Sequence, residues 1–211
     1  MRLTLFLLTL AFLAPVAQAA TPNECEGGGT DAIRATAPSE RFHVPASNNQ
    51  VVLDKETGLL WARCPLGYAL NRGTCEAVQG ETASFAWGDA LAAVVALKGT
   101  DFLGAGFTDG WRLPNVKELA SIVERRCNAP ALNGNVFPGH LSAYYWSATP
   151  VPQLSVAAGQ NWEEQVWAVN MKSGAVVTLF KGDPNDATTE RGLALPVREL
   201  TDAEFQDWLS R

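Results

Sequence analysis

Only two histidines, His43 and His140, occur in the 211 residues, and no cysteine follows Cys127. The four cysteines contain no C-x-x-C pair and the histidines are isolated, so a zinc site lacks its ligand spacing. No serine stands in a G-x-S-x-G setting, and neither histidine has a partner at useful spacing, which leaves acyl-transfer chemistry without its parts. His140, just after Phe137-Pro138-Gly139, reads as a loop histidine. Basic residues are outnumbered, 16 Lys and Arg against 22 Asp and Glu. That balance argues against nucleic acid and anionic membrane surfaces, both of which are held mainly by Lys and Arg. No apolar run approaches the roughly 20 residues that span a bilayer.

What is present begins with an export signal. Arg2 supplies a positive start, Leu3 to Leu13 is an almost unbroken apolar run, and Pro15 breaks it before Ala17-Gln18-Ala19. This predicts a signal peptide over 1–19, cleaved after Ala19, with Cys25 not placed as a lipidated cysteine would be. Cleavage removes Arg2, leaving 15 basic against 22 acidic residues and a formal charge of −7. The expected location is periplasmic or secreted, with no membrane span in the mature form and no oligomeric state fixed by the pattern.

Four cysteines in an exported chain imply two disulfides, with three connectivities open. Cys64 and Cys75 bracket Pro65-Leu66-Gly67 and Asn71-Arg72-Gly73, turn-forming pieces that let a short loop close. We therefore pair Cys64 with Cys75 and, by elimination, Cys25 with Cys127. Chain entropy assigns about 3 kcal/mol to the short loop and nearer 5 kcal/mol to the roughly 100-residue loop.

Residues 20–50 are polar with scattered Gly and Pro and read as an irregular lead-in held mainly by Cys25. Val51-Val52-Leu53-Asp54 and Leu59-Leu60-Trp61 flank a Gly-containing turn and predict a hairpin. From Ser84, a plausible N-cap, the residues Trp87, Ala90, Leu91, Val94 and Leu97 share a helical stripe. A second helix starts at Asn115 with Glu118 completing a capping box, buries Val116, Leu119, Ala120 and Val123, and places Arg125 and Arg126 in its last turn against the helix dipole. Strands follow at 144–149, 165–171, 175–180 and 193–198, the middle two joined by a tight hairpin at Lys172-Ser173-Gly174. Pro196 pushes the last strand to an edge or bulge. Thr201 and Glu204 form another capping box, opening a short helix over 201–211 with Phe205, Trp208 and Leu209 on one face. No internal repeat is evident. The pattern predicts one α+β domain over 51–200, with two main helices packed as a layer on a twisted, mostly antiparallel sheet that the first hairpin rejoins.

Several motifs occur in order: Thr57-Gly58-Leu59-Leu60-Trp61; Trp87-Gly88-Asp89-Ala90; Gly110-Trp111-Arg112-Leu113-Pro114-Asn115-Val116-Lys117-Glu118-Leu119; Val136-Phe137-Pro138; Tyr145-Trp146-Ser147; and Val197-Arg198. Together they resemble the Lcl C-terminal domain family, named after a bacterial collagen-like adhesin, over roughly residues 51–198. The cysteine-bounded insert from Arg63-Cys64 to Cys75 is similar to the form in one exported subset of that family. The resemblance implies a C-type-lectin-like fold, related to that of the formylglycine-generating enzymes, which carry a similar R-L-P segment before a helix. The founding adhesin's domain is associated with sulfated polysaccharides. A mature charge of −7 does not suit a polyanion, and the E-P-N and W-N-D sugar motifs of calcium-dependent lectins are absent. Those enzymes also use a cysteine pair late in the domain, where this chain has none.

Trp61, Trp111, Arg112, Pro114, Asn115, Glu118 and Trp146 read as structural: the tryptophans fill the core, Pro114 sets the helix entry, Asn115 caps, and Arg112 reaches a carboxylate or loop carbonyls. Trp87 and Trp167 are assigned to the core likewise. Function is placed instead on two long connections, 150–164 and 181–191. Trp162 could stack on a sugar ring, and the same connections carry the polar residues Glu163, Glu164, Asp183, Asn185, Asp186, Glu190 and Arg191. Those carboxylates could hold calcium through oxygen ligands, although their spacing matches no calcium loop; no metal or other cofactor is otherwise implied. The function expected is a non-enzymatic binding module for a glycan or a cell-envelope protein, in adhesion or at the envelope. The alternatives are a divergent formylglycine-generating-enzyme-like protein and a structural envelope subunit that uses the 201–211 helix as its contact.

Overall fold

A computed structural model describes residues 24–152, 164–182 and 190–211. The signal segment, Trp162, Glu163, Asp183, Asn185 and Asp186 lie outside the described residues. The strands form three antiparallel sheets rather than the one expected. The first holds β1 (Phe42–His43), β2 (Val51–Asp54), β3 (Leu59–Ala62) and β9 (Val197–Glu199), in the order β1-β2-β3-β9. The second is the hairpin of β4 (Tyr68–Asn71) and β5 (Thr74–Ala77), and the third is β6 (Tyr144–Pro150), β7 (Gln165–Asn170) and β8 (Ala175–Phe180) in sequence order. The first hairpin thus meets the second half of the chain through β9, while β6–β8 stay a separate sheet.

Pro196 explains the split. The stretch predicted as one strand over 193–198 divides there: Leu193 bridges β6 in parallel, while Val197 onward pairs with β3. The Trp146 N–H donates to the Leu193 carbonyl (2.9 Å), Leu66 N–H to Ala194 (2.8 Å) and Ala62 N–H to Pro196 (3.0 Å), so this short segment is the seam joining the sheets. Pro196 itself has no N–H to give to either ladder. As expected, β9 ends up at an edge.

Side chains from alternate positions enter two cores. Val52, Leu59, Trp61, Tyr145 and Val169 belong to one, with Leu119, Ile122 and Val123. Val51, Leu53, Leu60, Trp146, Val166 and Ala168 belong to the other, with Ala90, Val94 and Trp208. The first sheet is therefore covered on both faces at β2 and β3, which are buried at every position, whereas β8 at the edge of the third sheet stays largely exposed. The helices α1 (Trp87–Val95) and α2 (Val116–Ser121) pack into opposite cores instead of forming one layer, and α3 (Asp202–Leu209) joins α1.

Three local expectations change. Helix α1 is preceded by Ala86, not Ser84, and no side chain caps it. Phe85 exchanges main-chain hydrogen bonds with Gly192, which keeps the chain extended past Ser84. The Trp87 N–H is satisfied by the Lys181 carbonyl (2.8 Å). Helix α2 stops at Ser121, so Arg125 and Arg126 lie beyond its last turn; Arg126 instead pairs with Glu24 and with the buried Glu124. The lead-in is also more than a tether. β1 extends the first sheet, buried Arg41 grips buried Asp54, and the Glu124 carboxylate accepts from Thr36 and Ala37 N–H groups. Cys25–Cys127 and Cys64–Cys75 are the two disulfides, the pairing expected.

Candidate functional site

The open end of the three-stranded sheet is where both long connections have their feet. Lys181 N–H donates to the Glu164 carbonyl (2.7 Å) and Val151 N–H to Gln165 (3.1 Å), so the first connection leaves and returns beside the start of the second. The second returns at Glu190, whose carboxylate accepts the Phe180 N–H, and at Arg191, whose guanidinium donates to the Ser84 carbonyl (3.1 Å). The N-terminus of α1 closes the ring of feet. The Trp87 indole donates to the Ser147 carbonyl (2.8 Å), and the Lys181 ammonium lies over its ring at 5.3 Å. Glu164 and Arg191 are thus brought together at one end of the sheet, Glu164 exposed and Arg191 half-buried.

The pairing register supplies what the sequence reading missed. Gln165 lies opposite Phe180, Trp167 opposite Thr178 and Val169 opposite Val176, so these side chains share a face. Val169 is fully buried on that face, but burial fades outward: Trp167 is half-buried, and Val176 and Phe180 are 42% and 48% exposed. Trp167, assigned to the core with the other tryptophans, is a surface residue in part, unlike Trp61 and Trp146, which are fully buried. The signal was available: the tight turn at Lys172–Gly174 fixes the hairpin register, and the period of two then sets Trp167 beside the outer row.

The R-L-P segment has a complete structural role. Trp111 and Leu113 enter the core and Pro114 is buried. The Asn115 side chain accepts from Lys117 and Glu118 N–H groups, and Glu118 accepts from the Asn115 N–H (2.7 Å). Arg112 donates to both Glu118 oxygens at 2.8 Å. Burial works to raise the Glu118 pKa, but the Arg112 and Asn115 hydrogen bonds outweigh it and hold the carboxyl below the usual range. A half-open depression of about 370 Å³ does lie at Gly110 and Trp111, with Val95, Lys98 and Asp109, by the C-terminal end of α1 and away from the loop feet.

His140 lies in a loop, as expected, but not at the surface. It is buried, Nε2–H donates to the Arg63 carbonyl (2.7 Å), and Nδ1 accepts the Tyr145 hydroxyl (3.0 Å). A carbonyl only accepts, so the tautomer follows. Burial pushes the His140 pKa down to about 4 and the Tyr145 pKa up. Both partners hold their neutral forms, which makes this cluster a brace between β6 and the segment entering the Cys64–Cys75 loop. Among the described residues, no three His, Cys, Asp or Glu side chains come together to hold a metal ion. Of the carboxylates considered for calcium, Glu164 and Glu190 are described, and the Glu190 carboxylate accepts the Phe180 N–H. A family model, the Lcl C-terminal domain, matches residues 50–189. No curated protein matches the chain.

Proposed function

The chain belongs to the Lcl C-terminal domain family, and from that premise we propose that it is an exported, non-catalytic recognition module of C-type-lectin-like fold. Its ligand is a glycan or a cell-envelope protein, taken at the end of the β6–β8 sheet where the two long connections have their feet. The observation that carries this reading is the convergence of both pairs of feet beside a partly exposed aromatic row, Trp167 and Phe180. A rigid frame with two adjoining loops and accessible rings suits recognition, since rings stack on sugar faces and on apolar side chains alike. Two disulfides suit an oxidising compartment, and no helix among the described residues is long and apolar enough to cross a membrane.

Neither alternative gains support. All four cysteines are paired, which leaves a formylglycine-type mechanism without a thiol. Trp208, the aromatic centre of the C-terminal helix, is fully buried in its own domain and stacks on Phe107 at 6.1 Å, so it is not free to serve an envelope partner. The test is a glycan array and an envelope-protein pull-down with the mature chain, run with and without calcium, beside Trp162→Ala and Trp167→Ala. Binding that drops at least about ten-fold in either variant, with the fold intact, supports the site. Binding unchanged in both removes it.

A further inference from the structure

Among the described residues, the buried side-chain nitrogens without a hydrogen-bond partner are His43 Nε2 and the indoles of Trp61, Trp111 and Trp208. A buried donor left unpaired costs about 1–3 kcal/mol, so an acceptor brought to it is favoured. Trp61 and Trp208 are sealed in the cores at 0% exposure. Trp111 differs, because it lines the depression of about 370 Å³ beside the C-terminal end of α1. The loop that follows the helix builds the rim. Gly99 N–H donates to the Thr108 carbonyl (2.7 Å), which sets the next residues outward, Lys98 and Asp109, side by side on that rim. Neither the Lys98 ammonium nor the Asp109 carboxylate has a partner among the described residues. Gly110 keeps the wall bare: its φ is +82°, and a Cβ there would stand 3.0 Å from Arg198 Nε. Arg198 donates to the Asp109 carbonyl (3.2 Å) and lies over the Phe107 ring, which fixes the segment carrying Asp109. The neighbouring charges are taken, Arg198 by Glu204, Arg112 by Glu118, and the Asp101 carboxylate by the Gly106 N–H.

We infer that this depression binds a small zwitterion, an α-amino acid with an apolar side chain. Lys98 and the Trp111 indole N–H are the donors for its carboxylate, Asp109 accepts from its ammonium, and its side chain rests on Val95. Val95 lines the same depression and is 68% exposed, more than any other large apolar side chain described. Two unpaired charges of opposite sign on one rim are complemented by a molecule that carries both. A peptide terminus brings only one of them. Trp111 is 7% exposed, so it presents no ring face on which a sugar could stack. The volume lies at the small end of the range for ligand sites and suits a single residue rather than a chain. This site lies away from the feet of the two long connections and does not rest on the recognition-module reading.

The probes are leucine, leucine methyl ester, which lacks the carboxylate, and N-acetylleucine, which lacks the ammonium. In nuclear magnetic resonance of the isotope-labelled mature chain, leucine should move the indole N–H signal of Trp111, identified by its absence in Trp111→Phe. Calorimetry should place the ester and the acetyl derivative each at least about ten-fold weaker than leucine. Asp109→Asn should weaken leucine at least about ten-fold and should not weaken N-acetylleucine. Lys98→Gln should weaken leucine by a similar factor and should not weaken the methyl ester. Both residues are exposed, so neither change disturbs the core. If Trp111→Phe misfolds, the calorimetric comparison decides without it. No binding of leucine at about 10 mM overturns the proposal, as does an affinity for leucine that ignores both variants. Equal binding of the methyl ester also overturns it, by making a peptide N-terminus the occupant, and equal binding of N-acetylleucine does so by making it a C-terminus.

Discussion

Two arginine clasps of identical design hold this fold. Arg112 precedes its N-cap, Asn115, by three residues and its carboxylate, Glu118, by six; Arg198 stands in the same relation to Thr201 and Glu204. In both, one glutamate completes a capping box and grips an arginine with both oxygens. The segments that carry the arginines are bridged to each other at Arg112 and Val197. The sequence shows each capping box but not the pairing of the two, because only the arginine and the glutamate recur among the seven positions and Arg198 reads as the end of a strand. Arg198 hydrogen bonds, aided by Thr201, hold the Glu204 pKa down at about 2. A carboxyl depressed in the folded state gives stability that is present above the ordinary value of 4.5 and lost as pH falls towards 2. Glu204→Gln should therefore lower the unfolding free energy at pH 7 by about 1 kcal/mol after solvent screening, read as a lower urea midpoint, and the gap to wild type should close as pH falls below 4.5. His140 titrates in a different window. Its folded pKa of about 4 lies below the ordinary 6.5, so the unfolded chain takes up the proton first. Stability is full above 6.5 and falls by about 3 kcal/mol as pH drops to 4. Glu24 and Glu118 are held below the usual carboxylate range and titrate lower. Urea midpoints between pH 7 and 4.5 should slope in wild type and flatten in His140→Gln.

Among the elements, the β2–β3 and β7–β8 hairpins and the capped starts of α2 and α3 are legible in the sequence, and the start of α1 is not. The β7–β8 hairpin follows from local grammar: a tight turn flanked by strands of period two. Gly174 is required there twice over, with φ at +73° and the space for a Cβ already taken by Val123 Cγ1 at 2.5 Å. Gly73, in the turn of the β4–β5 hairpin, has a φ of +86° but nothing within 4 Å. Gly73→Ala should cost about 1 kcal/mol, for the left-handed backbone alone. Gly174→Ala should cost about 2–4 kcal/mol, since overpacking adds to it. Equal shifts in the two thermal denaturations would show that the hairpin is not pressed against Val123, just past α2, as described. The β4–β5 pair was read only as turns closing a disulfide loop, because its short strands carry Asn, Arg and Gly between them. The start of α1 was misplaced because a bridge to Gly192, more than 100 residues away, overrides a local cap at Ser84. A sequence window contains no trace of such a partner.

At the scale of the whole molecule, the C-terminal helix decides where the domain ends. The family match stops at residue 189, and the sequence reading set 201–211 apart as an appendage. Physically the helix is part of the second core. Trp208 is 0% exposed among residues from α1, β3, β6 and β7, and the Arg198–Glu204 clasp ties the helix to β9. Spacing showed that Phe205, Trp208 and Leu209 form a stripe, but it could not say which surface the stripe covers. A similar obstacle arises at the candidate site, where the hairpin register is needed to separate the half-buried Trp167 from the fully buried Trp146. If the helix belongs to the core, Trp208→Ala should leave a large cavity and cost about 3–5 kcal/mol, enough to consume much of a typical domain's stability. A chain ending at Leu200 should lose that burial and the clasp together, bind a hydrophobic dye and melt without a cooperative transition. If the truncated chain instead melts within a few degrees of wild type, the helix is an accessory, and the face of Trp208 returns as a surface for a partner.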